Sequence, residues 1–161
     1  MSRSMRLIAE PLTAEAFAPF GEVLEGPAEP GRLRFEAALA NRRPTAWPSL
    51  SLTCKAPLDS LPLRTRVMER HRFSSQSFVP METGRWLVIV APHAAGGGPD
   101  MARARAFVAR PDQGVTYGVD VWHHPLAVLD RMARFAVLLW RDGTAADEEF
   151  VDVPTFTVDL P

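Results

Sequence analysis

The chain has 161 residues, 47% of them hydrophobic, and a formal net charge of -1. That length supports a single domain over 1–161 with a real core. The near-neutral balance excludes the basic footprint of a nucleic-acid binder or of a protein held at an acidic membrane surface. A single cysteine, Cys54, rules out an internal disulfide and predicts a reducing, cytoplasmic setting. The opening "MSRSMRLIAEPL" has no apolar secretory core, and "WLVIVA" at 86–91, the longest apolar run, is too short to cross a bilayer.

Fifteen prolines, scattered from Pro11 to Pro161, leave little room for long helices. One short helix is expected in "TAEAFAPFG", capped by Thr13 and ended before Gly21, with Pro19 keeping it short. Strands are then read in "SLSLTCKA" (49–56), "LRTRVMERH" (63–71) and "RWLVIVA" (85–91). "RARAFVAR" (103–110) is open to a helix on propensity alone but is preferred as a strand. "GVDVWHHPLAVL" (118–129) and "RFAVLLWRD" (134–142) complete the series. "GPAEPG" (26–31) and "HAAGGGPD" (93–100) read as loops, and the triple glycine lacks the Lys-Ser/Thr pair of a phosphate loop. Short strands separated by Gly/Pro turns predict an all-β barrel or sandwich.

The chemistry-bearing residues cluster in two stretches. In "MERHRFSSQSFVPMETG" (68–84), Glu69 and His71 share a strand face, and Gln76 opens a new strand after the "FSS" turn. The second stretch, "VWHHPL" (121–126), places His123 beside His124. Adjacent strand residues face opposite ways, so these two rings cannot share one environment: either one is a buried working group and the other faces away, or both are incidental.

E-x-H-x4-Q resembles a degenerate form of the first cupin metal motif, with Glu69 and Gln76 in the places of a histidine and a glutamate. Gly84 fits its closing glycine, and His123 fits the histidine supplied by a later strand, which implies that His123 faces inward beside His71, with Trp122 and His124 directed away and His124 structural. The blocks "PLTAEAFAPFGEVLE" (11–25), "MERHRFSSQSFVPM" (68–81), "RAFVARPDQGVTY" (105–117) and "VWHHPL" are similar to the ureidoglycolate lyase (older name ureidoglycolate hydrolase) family. The resemblance implies a cupin-like jelly-roll β-barrel with a short N-terminal helix, a homodimer, and release of urea and glyoxylate from (S)-ureidoglycolate in purine and allantoin breakdown. It also implies a divalent metal ion, nickel or another first-row metal. The chain departs from the family in lacking its asparagines within 33–44, in carrying Gly118, and in having Lys55 where an arginine is common.

Cleaving a carbinolamide C–N bond needs a base for the hydroxyl proton and an acid for the departing nitrogen. Glu69, His71 and His123 are the expected catalytic groups; with Gln76 they are also the candidate metal ligands. Gln76, Lys55, Tyr117 and Arg42 are expected to bind substrate, the two cations through its carboxylate. Two alternatives stand beside this reading: a non-catalytic cupin that binds a small carboxylate, and another metal-dependent cupin enzyme. Apolar strands such as "FAVLLW" are expected to cover sheet edges in a dimer.

Overall fold

The structure, a computed structural model, describes residues 4–161. Its regular secondary structure is almost wholly made of strands. They are β1 (Met5–Ile8), β2 (Glu10–Pro11), β3 (Gly21–Leu24), β4 (Trp47–Lys55), β5 (Leu63–His71), β6 (Gln76–Glu82) and β7 (Trp86–Ala91). There follow β8 (Arg105–Ala109), β9 (Gly114–Tyr117), β10 (Trp122–His123), β11 (Ala127–Val128), β12 (Ala133–Arg141) and β13 (Glu148–Asp159). The expected helix is one turn, α1 (Ala14–Phe17), where the Thr13 hydroxyl accepts the Ala16 N–H at 3.1 Å. "RARAFVAR" adopts the preferred strand, β8, behind a short 3₁₀ turn at Met101–Arg103. No helix among the described residues is long and apolar enough to cross a membrane.

Two sheets face each other in the double-sheet jelly-roll manner. The larger runs β1-β13-β5-β10-β7-β8-β2, with β11 also on β7; the smaller runs β3-β9-β6-β12-β4. Every residue of β7 is buried, which explains its unbroken apolar sequence. Trp86, Val88 and Val90 enter the core with Phe17, Phe78, Phe107 and Phe135; Leu87, Ile89 and Ala91 join a second cluster with Met68, Trp122, Phe156 and Val158. The two short strands of "GVDVWHHPLAVL" pair antiparallel with β7.

The longest strand, β13, lies beyond the last segment predicted as strand, "RFAVLLWRD". Pro154 and the acidic Glu148, Glu149 and Asp152 mask its strand character. Its pairing with β5 tolerates them because the register shifts between Asp152 and Phe156. The expected edge role of "FAVLLW" is corrected: β12 is paired on both sides, by β6 and β4, and β4 is the edge of its sheet.

Two glycines are dictated by close approach. A Cβ on Gly21, at φ +152°, would lie 1.8 Å from the Thr116 carbonyl oxygen across β3–β9. One on Gly84 would lie 2.9 Å from the Asp130 Cβ, where Asp130 grips the Arg85 guanidinium and backbone N–H.

Candidate active site

Strand register assembles the polar cluster. On the larger sheet His123 stands opposite Glu69 on one side and Val90 on the other, so the His123 and Glu69 side chains project together between the sheets. On the smaller sheet Gln76 stands opposite Tyr117. Trp122, one residue from His123, turns to the second apolar cluster, as alternation requires. Glu69, His71, Gln76 and His123 are all buried.

The bonds around His123 are specific. Its Nδ1 donates to the Val121 carbonyl at 2.9 Å, while Nε2 faces Gln76 Oε1 at 3.2 Å and Glu69 Oε1 at 3.3 Å. Both partners of Nε2 are acceptors in this arrangement, so the nitrogen either carries a proton or gives its lone pair to a cation between them. The Tyr117 ring stacks on the imidazole at 4.1 Å and 10°. Burial pushes the Tyr117 phenol up, and the Glu69 charge adds to the effect, so it stays neutral.

His71 lies parallel to His123, with ring centroids 5.9 Å apart. Its Nδ1 is 3.5 Å from Asp147 Oδ2, and its Nε2 is buried with no hydrogen-bond partner among the described residues. Burial first, and then the neighbouring His123, hold His71 below the ordinary histidine range, which favours the neutral ring. For Glu69, burial acts to raise the pKa, but the His123 hydrogen bond and the charges of the neighbouring histidines outweigh it; the carboxyl stays below its usual range.

These atoms fit a metal ion. One ligand atom from each of Glu69, His71 and His123 lies within 4.8 Å of the others, and Gln76 Oε1 adjoins the group. First-row metal–ligand bonds are about 2.0–2.2 Å long, so small side-chain shifts close that spacing around one ion. The orphaned His71 Nε2 and the acceptors converging on His123 Nε2 are what such a donor set requires.

His71 and Gln76 open on a cavity of about 440 Å³, also lined by Arg43, Ser49, Trp140 and Asp147. The other expected substrate-binding residues do not line it. Arg42 is exposed, and its neighbour Arg43 faces the cavity instead. The Arg43 guanidinium is held by Asp142 at 3.0 Å, by Asp147 at 3.5 Å and by the Trp140 carbonyl at 3.0 Å. Lys55 is exposed at the end of the edge strand β4, and Tyr117 is packed behind His123 rather than at a mouth.

His124 stays outside the cluster. Its Nδ1 donates to the Pro125 carbonyl at 2.7 Å, so Nε2 accepts the Thr65 hydroxyl at 3.0 Å. Arg43 and Asp147 escaped the sequence reading. Asp147 sits in "AADEEF", which looks like a solvated acidic run; only the pairing of Glu148 with His71 brings it to the site.

A two-sheet jelly roll with a buried carboxylate and two imidazoles gathered between its sheets defines the protein as a cupin with an enzyme-like pocket. The sequence matches the profile of the family described as ureidoglycolate lyase over residues 4–159. The chain belongs to the ureidoglycolate lyase family. It is similar to the ureidoglycolate lyase of Brucella melitensis biotype 2, 42% identical over 82% of this chain and 81% of that protein. It is also similar to the ureidoglycolate lyase of Pseudomonas fluorescens, 36% identical over 89% and 90%. Among solved structures, Bacillus subtilis oxalate decarboxylase gives a TM-score of 0.42 at 13% identity, over 89% of this chain and 29% of that one. A dTDP sugar isomerase from Desulfovibrio desulfuricans G20 gives 0.48 at 17%, over 82% of each.

Proposed function

We propose that the chain is a carbon–nitrogen lyase that splits (S)-ureidoglycolate into glyoxylate and urea. The carrying observation is the buried Glu69–His71–His123 group beside a cavity that also holds a cationic side chain, in a chain 42% identical to a protein named for this reaction. The substrate carbon bears a hydroxyl, a carboxylate and a ureido nitrogen. Arg43 is suited to the carboxylate: its Nε, like the Trp140 indole Nε1, is a buried donor without a partner among the described residues, and both residues line the cavity. Collapse of the carbinolamide moves the hydroxyl proton away as the C=O forms and delivers a proton to the leaving nitrogen. The bare Nε2 of His71 is the natural acceptor for the first. The proton held between His123 Nε2 and Glu69 is available for the second.

Glu69, His71, His123 and Gln76 are also the residues that would hold a divalent ion, nickel or another first-row metal. Such an ion supplies Lewis acidity, which makes a hydroxyl easier to ionise. Incubating the purified chain with racemic ureidoglycolate is expected to yield glyoxylate and urea from one enantiomer. Metal content, and turnover after chelation, tell whether the four side chains act as ligands or as acid–base groups. A chain that binds the compound without releasing glyoxylate would overturn the lyase reading in favour of a carboxylate-binding cupin.

The chain works as a homodimer, in this reading, through the outer face of the smaller sheet. Leu52, Ala136 and Val79 lie opposite one another on β4, β12 and β6, and Leu50 pairs with Leu138 one row away. Leu50 and Leu52 are 71% and 70% exposed, an apolar strip on an edge strand that a second copy would cover. Light scattering is expected to give a dimer that Leu52→Asp converts to monomer; a monomeric parent chain removes the proposal. A reducing, cytoplasmic setting suits the exposed, unpaired thiol of Cys54.

A further inference from the structure

Asp147 is a buried carboxylate beside the cavity to which the proposed chemistry gives no part. It stands just before β13, where Glu148 pairs with His71, and its side chain is 8% exposed. Oδ1 accepts the Phe73 N–H at 2.6 Å, and Oδ2 accepts the Ser74 hydroxyl. The Asp147 carbonyl accepts the Arg72 N–H at 2.7 Å. The same Oδ2 lies 3.5 Å from His71 Nδ1 and 3.5 Å from Arg43 Nη2.

We propose that Asp147 is a positioning residue: it keeps the proton of His71 on Nδ1 and thereby leaves the Nε2 lone pair free for the reacting group or a metal ion. At 3.5 Å the approach of Asp147 to His71 is a charge contact rather than a hydrogen bond, and because a carboxylate only accepts, it favours the tautomer that carries hydrogen on the facing nitrogen. In the neutral ring the other nitrogen is then bare, and His71 Nε2 is buried with no hydrogen-bond partner among the described residues. Asp147 is itself held from two sides of the β5–β6 turn, so its position does not depend on His71. Carboxylate–histidine pairs of this kind orient metal-binding and basic imidazoles in general, and losing the carboxylate typically costs about 10–100-fold in metal affinity or activity. The inference rests on the reading that His71 works through Nε2.

The plain rival is that Asp147 only staples the 142–147 loop to the β5–β6 turn. Asp147→Asn separates the two. The asparagine oxygen still accepts from Phe73, and the rotatable Ser74 hydroxyl can accept from the new amide, so these two bonds persist; only the Arg43 contact is lost, and Asp142 and the Trp140 carbonyl still hold that guanidinium. That amide, however, presents N–H to His71 Nδ1 and drives the ring proton to Nε2. Ser74→Ala does the opposite, weakening the staple while sparing the carboxylate.

The test is long-range ¹H–¹⁵N correlation of the imidazoles, with the His71 signals assigned by their loss in His71→Gln, alongside Ni²⁺ titration calorimetry, thermal melting and turnover. The parent chain and Ser74→Ala should show the Nδ1–H form of His71, with only the melting temperature lowered in Ser74→Ala. Asp147→Asn should melt near the parent, show the Nε2–H form, and lose tenfold or more in Ni²⁺ affinity and in turnover. An Nδ1–H pattern that persists in Asp147→Asn overturns the proposal, as does a lowered melting temperature with unchanged Ni²⁺ affinity and turnover. If the parent neither binds Ni²⁺ nor cleaves ureidoglycolate, the functional reading of His71 fails, while the tautomer measurement still decides the role of Asp147.

Discussion

His123→Ala is expected to lower ureidoglycolate turnover by about 10²–10⁴-fold, the range a positioned acid–base group contributes, and to leave the chain folded. The imidazole is 1% exposed and joins the two sheets: its Nε2 meets Glu69 from one and Gln76 from the other. Removing it strips Glu69 and Gln76 of a shared partner and takes one corner from the candidate metal group. The packing loss falls chiefly on the stacked Tyr117 ring, while the neighbouring β7 keeps its pairing with β8 and Tyr117 keeps its contacts with Phe17 and Phe78. His124→Ala supplies the contrast. Its ring is tied to Thr65 and Pro125, so turnover should stay within about tenfold, roughly 1.4 kcal/mol in barrier terms. Steady-state kinetics on both variants, with circular dichroism for folding, checks the pair. Equal losses of turnover in two folded variants would contradict the assignment of His123 to the site.

Trp86→Ala should reduce folding stability by about 3–5 kcal/mol, which is a large share of the roughly 5–15 kcal/mol that holds a domain folded. Trp86 is 1% exposed and packs edge-on against Phe135 at 5.0 Å, with Phe78 at 6.4 Å. Its indole N–H donates to the Gln113 carbonyl at 3.0 Å, and Gln113 in turn donates to the Leu12 carbonyl. Truncation therefore leaves both a cavity and a buried carbonyl without its donor. Urea denaturation measures the effect; a loss below about 1 kcal/mol would mean that the core collapses into the space, contrary to the packing seen here.

Glu69, His71 and Gln76 are close in sequence and were legible as neighbours from strand alternation and the "FSS" turn, whereas His123 joined them through the resemblance of "VWHHPL" to the later histidine-bearing strand of the cupins. Alternation alone puts Glu69 and His71 on one face and turns Trp122 from His123. The apolar run at 86–91 and the Thr13 cap likewise announce a doubly buried strand and a helix start through local chemistry. The choice of Arg43 over Arg42 was not legible. Between two adjacent arginines in a segment outside the named strands, only the contacts with Asp142, Asp147 and the Trp140 carbonyl decide which faces the cavity. Tyr117 was legible as a site neighbour but not as a ring stacked behind His123, because that contact crosses from one sheet to the other.

By itself, then, the sequence determined the all-β class, most of the strands and the shared face of Glu69 and His71, since these depend on period-2 patterning and short-range spacing, whereas His123 joined them through the family resemblance. The tertiary structure decided where β13 pairs, which edge is left open, and that Asp147 stands beside His71, 76 positions earlier in the chain. Such contacts are set by strand order and register, and no local pattern in "AADEEF" encodes the strand beside which it comes to lie.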